Sequence, residues 1–128
     1  MLALKKLLYA GFVSVLIAGP ASACMSDQSD KEIAEGKLSI GAARDAAGRR
    51  EKPYILTLPT PACLTASDPA DSVKSTRKIH IFSSQGKVHS QIARLVGKSV
   101  LVRGRPFAAH TAHHHAPIVM DITEIDSH

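Results

Sequence analysis

Alternating apolar and polar positions predict two β-strands in the first half of the chain. Residues 33–40, IAEGKLSI, place Gly36, Leu38 and Ile40 on one face and polar side chains on the other. Residues 54–58, YILTL, repeat this period of two with Tyr54, Leu56 and Leu58. We expect the following prolines, Pro59 and Pro61, to end this second strand, because proline cannot donate to a sheet ladder.

The loops of the first half are polar and rich in turn residues. Residues 41–53, GAARDAAGRREKP, carry two glycines, a proline and several charges, and predict a loop or loosely ordered excursion. Residues 66–75 predict a second loop. A third strand, KIHIF, follows at residues 78–82, with His80 expected on its outward face between Ile79 and Ile81.

The period then changes to that of a helix. In SQIARLVGK, residues 90–98, Ile92, Leu95 and Val96 lie at i, i+3 and i+4, Ser90 is placed to cap the start, and Gly97 suits the position just past the end. Residues 98–111 predict a long fourth strand with a bend or bulge at Gly104 and Pro106. Residues 116–126 predict a fifth strand with Ile118, Met120 and Ile122 on one face.

This order predicts a mainly β domain over residues 33–126, a five-stranded OB-like barrel with one short helix between strands three and four. We expect Gly36 and Gly104 to permit the coiling that such a barrel needs. A plain five-stranded sandwich with the helix on one face is the alternative. Residues 24–32 are polar for the most part and predict an N-terminal tether.

The N-terminus has the three parts of a secretory signal peptide. Lys5 and Lys6 precede an apolar run of thirteen residues, 7–19, and Ala21 to Ala23 supply a small-residue cleavage site. The run is too short for a transmembrane helix. We therefore expect residues 1–23 to be removed, leaving a periplasmic or secreted product without a transmembrane segment.

The two cysteines, Cys24 and Cys63, both remain after cleavage. In an oxidising compartment they predict an intramolecular disulfide. The alternative is a lipoprotein, since Cys24 follows the cleavage point where an acylated cysteine would stand. Ala21 stands where such signals usually carry Leu, and acylation would leave Cys63 unpaired. Only in this alternative would the protein be attached to a membrane.

Charge and aromatic content exclude one class of partner. Without the leader, 14 Lys and Arg face 11 Asp and Glu, so the positive excess is small. The mature chain has only three aromatic residues, Tyr54, Phe82 and Phe107. Since single-stranded nucleic acids are normally held by stacking their bases on several such rings, we expect no nucleic-acid partner.

The densest candidate chemistry is HTAHHH, residues 110–115. A chain reversal between Thr111 and His114 would bring His110, His113 and His115 within reach of one another. Imidazole is a good ligand for Zn, Cu or Ni, and three histidines leave a coordination position open. The alternatives are a structural or partner-facing hairpin, with Thr111, His114 and Pro117 on its binding face, and a pH-sensitive surface.

Residues 95–125, LVGKSVLVRGRPFAAHTAHHHAPIVMDITEI, resemble a family of small bacterial exported domains, domain-of-unknown-function family 4431. The resemblance extends back to LTLPTPACL, where Cys63 fits the family's second cysteine, whereas the N-terminal half departs from the pattern. Ala112 and Ala116 stand in place of a common Gly and Thr. The shared positions are Gly97, Lys98, Val100, Val102, Gly104, Phe107, Ala109, Thr111, His114, His115, Pro117 and Ile118. The resemblance implies export and this fold, and no activity.

The sequence predicts a binding or accessory module rather than an enzyme. The motifs of serine hydrolases, P-loop NTPases, zinc proteases and dithiol oxidoreductases are absent from the sequence. We expect an unidentified protein or small ligand to bind at the face with the histidine hairpin. Transition-metal binding by His110, His113 and His115 is the alternative function.

Overall fold

The computed structural model describes residues 23–128, so the predicted signal peptide lies, apart from Ala23, outside the described residues. Residues 23–128 form eight strands, one α-helix and a short 3-10 turn at Pro69–Asp71. The strands are β1 (Met25–Ser26), β2 (Glu32–Ile40), β3 (Ala43–Arg44), β4 (Arg50–Glu51), β5 (Tyr54–Thr65), β6 (Val73–Phe82), β7 (Ser99–Ala108) and β8 (Ile118–Ser127). The helix α1 (Gly86–Arg94) lies between β6 and β7.

Five long strands close into a barrel. Their order is β5-β2-β7-β8-β6, and β6 also pairs with β5, which joins the two ends of the sheet. Neighbouring strands are antiparallel except β6 and β8, which run parallel. This circuit, with the helix between the third and fourth long strands, confirms the predicted mainly β, OB-like barrel; the sandwich alternative is wrong.

The apolar positions that the alternation selected fill the barrel. Leu38, Leu56, Ile118, Met120 and Ile122 are fully buried, whereas Ile40, at the end of β2, is 49% exposed. The helix adds Val88 and Ile92 to the same core. Among the described residues, no buried side-chain nitrogen or oxygen lacks a hydrogen-bond partner. No polar or charged residue of the described part of the chain is buried, so the core is apolar throughout.

Gly104 is required by the close packing of β7 on β8. A Cβ atom at Gly104 would lie 2.2 Å from the backbone oxygen of Asp121, and one at Gly36 would lie 2.3 Å from that of Thr57. The register of β7 against β8 shifts between Arg103 and Gly104. The predicted irregularity at Gly104 is confirmed, and both glycines stand where backbones approach too closely for a side chain.

Strand β5 continues through its prolines, so the prediction that Pro59 and Pro61 end it is wrong. The pairing with β2 stops at Thr57, and the ladder to β6 is irregular between Thr57 and Ala62. Both prolines thus lie at positions where no regular pairing needs a backbone N–H donor. Proline therefore does not interrupt the strand there. Beyond them, β5 regains pairing with β6 and with β1.

The helix begins earlier than expected, at Gly86, so the prediction that Ser90 caps it is wrong. Val88 lies one turn before Ile92 on the same buried face of the helix. Its burial explains why the helix begins closer to the end of β6 than predicted. Gln85 occupies the cap position without a side-chain cap bond. Gly97, just past the end, has φ of +91°, as its predicted position requires.

The start of the N-terminal segment is attached to the barrel by a disulfide and a short strand. Cys24 and Cys63 form the predicted disulfide, with their Cα atoms 4.7 Å apart. Met25 is 8% exposed, and β1 pairs in parallel with Leu64 and Thr65 of β5. The disulfide is therefore confirmed, and in this structure the sulfur of Cys24 is bonded to another cysteine.

Candidate functional site

Two loops form the candidate site. The first, residues 41–53, connects β2 to β5 and is called the hairpin loop; the second, residues 109–117, connects β7 to β8 and is called the histidine loop. In OB barrels, the connections between strands one and two and between strands four and five are the common ligand-binding loops. These two loops occupy those positions.

The hairpin loop is more ordered than its composition predicts. Its strands β3 and β4 pair at Ala43 with Glu51 and at Arg44 with Arg50. The Asp45 carboxylate accepts the backbone N–H of Ala47 at 2.9 Å and that of Arg49 at 2.8 Å. The Arg49 Nε donates to the same carboxylate at 2.9 Å. The backbone N–H of Arg49 is the main reason that the pKa of Asp45 is lowered.

The histidine loop reverses where the sequence predicts. The backbone N–H of His114 donates to the carbonyl of Thr111 at 3.1 Å, and that of His113 donates to the Thr111 hydroxyl at 3.2 Å. At its base, the N–H of Ala109 donates to the carbonyl of Pro117 at 3.1 Å. Thr111 and Pro117, which the sequence placed on a binding face, thus also hold the loop in shape.

Two histidines act as backbone acceptors. The Nδ1 of His114 accepts the N–H of His110 at 3.0 Å, and the Nδ1 of His80 accepts the N–H of His115 at 3.2 Å. Burial lowers the pKa of both rings, that of His80 to about 4, and neighbouring histidines lower it further. Both imidazoles are therefore neutral at ordinary pH, with Nδ1 free of a proton, as these bonds require.

His110 packs as part of an aromatic cluster on the outer face of the sheet. Its ring centroid lies 4.7 Å from that of His114 and 5.5 Å from that of Phe107. The Phe107 ring in turn contacts Phe82 at 6.3 Å. His110 therefore shares a cluster with His114 and Phe107 rather than with the other two predicted metal ligands.

Glu51 connects the two loops. Its Oε1 accepts from Nε2 of His115 at 2.6 Å, and its Oε2 accepts from Nδ1 of His113 at 2.5 Å. These hydrogen bonds, first that of His115 and then that of His113, lower the pKa of Glu51. The side chains of Glu51 and His115 are 26% and 14% exposed, so the contact is largely shielded from water.

A cleft of about 380 Å³ lies around this contact and is called the rim cleft; its lining residues are Glu51, Lys52, Pro53, His80, His113 and His115. Asp45 lies beside the rim cleft. One carboxylate oxygen each of Asp45 and Glu51 and one ring nitrogen of His113 lie within 4.8 Å of one another. The rim cleft thus gathers carboxylates from one loop and imidazoles from the other.

Sequence reasoning selected His113 and His115 and missed their partners. Glu51 and Asp45 sit in a segment whose composition indicates only a loop, and no motif marks them. His80 is predicted to face outward, which is correct, but its bond to His115 depends on β6 pairing with β8. These contacts lie 35 to 64 residues apart along the chain, so local pattern carries no signal of them.

Within residues 23–128, no helix combines the length and apolar character needed to cross a bilayer. No curated protein and no solved structure matches this chain. Residues 78–126 match the family model described as Domain of unknown function (DUF4431). This segment contains strands β7 and β8 and the whole histidine loop, so the resemblance stated from the sequence is confirmed there. From residue 78 to residue 126, the chain matches DUF4431, a family defined without a function.

Proposed function

We propose that this protein is an exported binding module that holds a small ligand or a protein partner in the rim cleft. The observation that carries the proposal is the pair of hydrogen bonds from His113 and His115 to Glu51. They join two loops that are separate in sequence into one concave, polar surface. A site of this kind, shaped before its ligand arrives, loses less conformational entropy on binding.

The position of the rim cleft supports the proposal. OB barrels place their ligands against the same pair of loops, and the closed strands beneath form a rigid base. Here the apolar core reaches the foot of the histidine loop, where Ala116 is 8% exposed and Ile118 is fully buried. The loop is therefore fixed at its base, while His113 remains 63% exposed and accessible to a ligand.

Export is supported by two features. The first 23 residues have the order of a signal peptide, and Cys24 and Cys63 form a disulfide. Disulfides persist in the periplasm and outside the cell and are rare in the cytosol. We place the protein in one of those oxidising compartments. Catalysis is not part of the proposal.

Site-specific photo-crosslinking in the producing cell tests this function. A photoreactive residue replaces Lys52 or Ala112, which are exposed on the two loops, or Lys87, which is exposed on α1 away from the cleft. We expect covalent adducts of one reproducible mass from both loop positions and none from position 87. Equal yields at all three positions, or adducts from position 87 alone, would contradict a binding site at the rim.

A further inference from the structure

The donor atoms of the rim cleft indicate which ligand class it suits. The carboxylates of Asp45 and Glu51 lie close to the imidazole of His113 there, and a second imidazole, that of His115, contacts the other oxygen of Glu51. Mg²⁺ and Ca²⁺, by contrast, prefer oxygen ligands alone. Mixed nitrogen and oxygen donors suit Zn²⁺, Cu²⁺ and Ni²⁺. We propose, resting on the proposed function, that the rim cleft binds one such divalent transition-metal ion through Asp45, Glu51, His113 and His115.

The spacing is close to what coordination demands. At metal–ligand distances of about 2.0 to 2.1 Å, neighbouring donors in a tetrahedral site lie about 3.3 Å apart. One ligand atom from each of Asp45, Glu51 and His113 already lies within 4.8 Å of the other two, and His115 contacts the other oxygen of Glu51 at 2.6 Å. The His113 and Glu51 atoms, now 2.5 Å apart, must separate by somewhat less than 1 Å. The donors that lie up to 4.8 Å apart must approach by about 1.5 Å at most.

The supporting contacts orient the donors. Asp45 is held by two backbone N–H groups and by Arg49, which leaves its Oδ2 with a single hydrogen-bond donor and a lone pair to spare. The backbone at His115 is held by His80. Such hydrogen bonds behind the ligands are a usual feature of metal sites. They hold the Asp45 carboxylate of the hairpin loop and the His115 backbone of the histidine loop.

The same contacts separate the remaining histidines from the donor set. His80 and His114 use Nδ1 to accept backbone N–H groups, and His110 packs against Phe107. The metal site therefore consists of His113 and His115 with two acidic residues of the hairpin loop. It differs from simple chelation by a run of histidines, which would need His110 and would not need Glu51.

Isothermal titration calorimetry with ZnCl₂ on the untagged, disulfide-bonded exported chain separates these two modes. The variants are Glu51→Gln, His113→Ala and His115→Ala, with two matched histidine controls. His110→Ala removes an imidazole of the same loop, and His128→Ala removes the distant partner of Glu35. Circular dichroism of each variant verifies that the barrel is intact.

We expect one Zn²⁺ per chain with a Kd in the micromolar range or tighter. Each of the three ligand variants should raise that Kd by more than about a hundredfold, since removing even a supporting hydrogen bond behind a ligand costs 10–100-fold. Both controls should leave it unchanged. Unaltered affinity in Glu51→Gln, or a loss in His110→Ala equal to that in His113→Ala, would overturn the donor set.

Absence of micromolar binding by the unmodified chain would overturn the metal proposal by itself. Crosslinks from the loop positions would still stand in that case, because they report a protein or an organic molecule at the rim, whereas a metal ion gives no covalent adduct. Zinc binding without crosslinks would give the reverse result. The metal site would be supported, and binding of a protein or an organic ligand at the rim would be contradicted. The two proposals therefore fail independently.

Discussion

Glu51 is the residue on which the shape of the rim depends. Each oxygen of its carboxylate accepts a hydrogen bond from one imidazole, and both imidazoles belong to the histidine loop. Hydrogen bonds to an ionised carboxylate are stronger than those between neutral groups. The density of histidines in residues 110–115 marks them as candidate site residues, whereas nothing in the sequence distinguishes Glu51 from its neighbours. The histidine side of this interaction could therefore be predicted, and the carboxylate side could not.

Glu51→Gln should loosen the histidine loop. The amide is neutral and offers one acceptor oxygen, so at least one of the two imidazoles loses its partner. We expect faster amide hydrogen exchange at residues 109–117 and unchanged exchange in β7 and β8. Glu124→Gln, which removes an exposed pair with Arg103, serves as the control and should leave the loop unaffected. Slow exchange retained in the Glu51 variant would contradict the role of this carboxylate.

Asp27 makes the protein sensitive to acid at the N-terminal end. Its carboxylate accepts the N–H of Ser67 at 3.0 Å and also contacts the Ser67 hydroxyl. The Ser67 backbone N–H is the main reason that the pKa of Asp27 lies below its ordinary 3.8. A lowered pKa stabilises the fold above pH 3.8, and this contribution is lost as the pH falls below that value toward the folded-state pKa.

Urea unfolding between pH 2.5 and pH 6 measures this effect, with Asp27→Asn as the comparison. The difference in unfolding free energy between the two proteins should be largest above pH 4 and should shrink as the pH falls. A difference that is constant across the range would show that the Asp27 charge contributes nothing.

At the scale of elements, period and turn residues predicted most of the barrel, because each strand buries one face and each loop is polar. The sequence pattern misplaced the end of β5 and the start of α1 for the same reason. The end of β5 depends on where its partners stop pairing, and the start of α1 depends on contacts that Val88 makes with the core. Neither can be seen in a local window of sequence.

Gly104→Ala tests the close contact of β7 with β8. The new Cβ would meet backbone atoms of Asp121 and Ile122 at 2.2 and 2.6 Å, and the backbone cannot rotate away as a side chain can. We expect a loss of about 3 kcal/mol or more of unfolding free energy, at the upper end of the usual cost of overpacking.

Gly86→Ala is the matched control, because a Cβ there meets nothing within 4 Å and Gly86 starts the helix. It should be neutral or stabilise by up to about 0.5 to 1 kcal/mol, since alanine loses less backbone entropy than glycine. Chemical denaturation of both variants measures the difference. Equal stability of the two would contradict the described packing.

For the whole molecule, the disulfide connects the N-terminus to the barrel across 39 residues of chain. The pairing of both cysteines could be predicted from the sequence, since only two are present and the pattern of the first 23 residues predicts export. The pairing of β1 with β5 could not be predicted, because β1 has only two residues and is too short to show an alternating pattern. Such a crosslink stabilises the fold mainly by restricting the unfolded chain.

Replacing both cysteines with alanine should lower the free energy of unfolding by about 3 to 4 kcal/mol, chiefly because the unfolded chain regains the entropy of an open loop. Urea denaturation under non-reducing conditions measures the loss, and the unmodified protein in reductant provides the comparison. A change below about 1 kcal/mol would mean that the N-terminal segment contributes little to the fold.

Intact mass spectrometry of the exported protein examines both leader and disulfide. We expect a chain that begins at Cys24 and is lighter than the fully reduced form by two hydrogens. A thioether-linked diacylglycerol on Cys24 would contradict the disulfide and place the protein on a membrane.

The central claim is that Glu51 joins the hairpin loop to His113 and His115 and leaves His110 outside. Long-range ¹H–¹⁵N correlation spectra of the imidazole rings measure this directly, with the unmodified protein compared with Glu51→Gln. We predict large shifts of the His113 and His115 ring nitrogens, which lose the carboxylate, and clearly smaller changes at His110 and His114. Unchanged His113 and His115 signals, or an equal shift at His110, would contradict this claim.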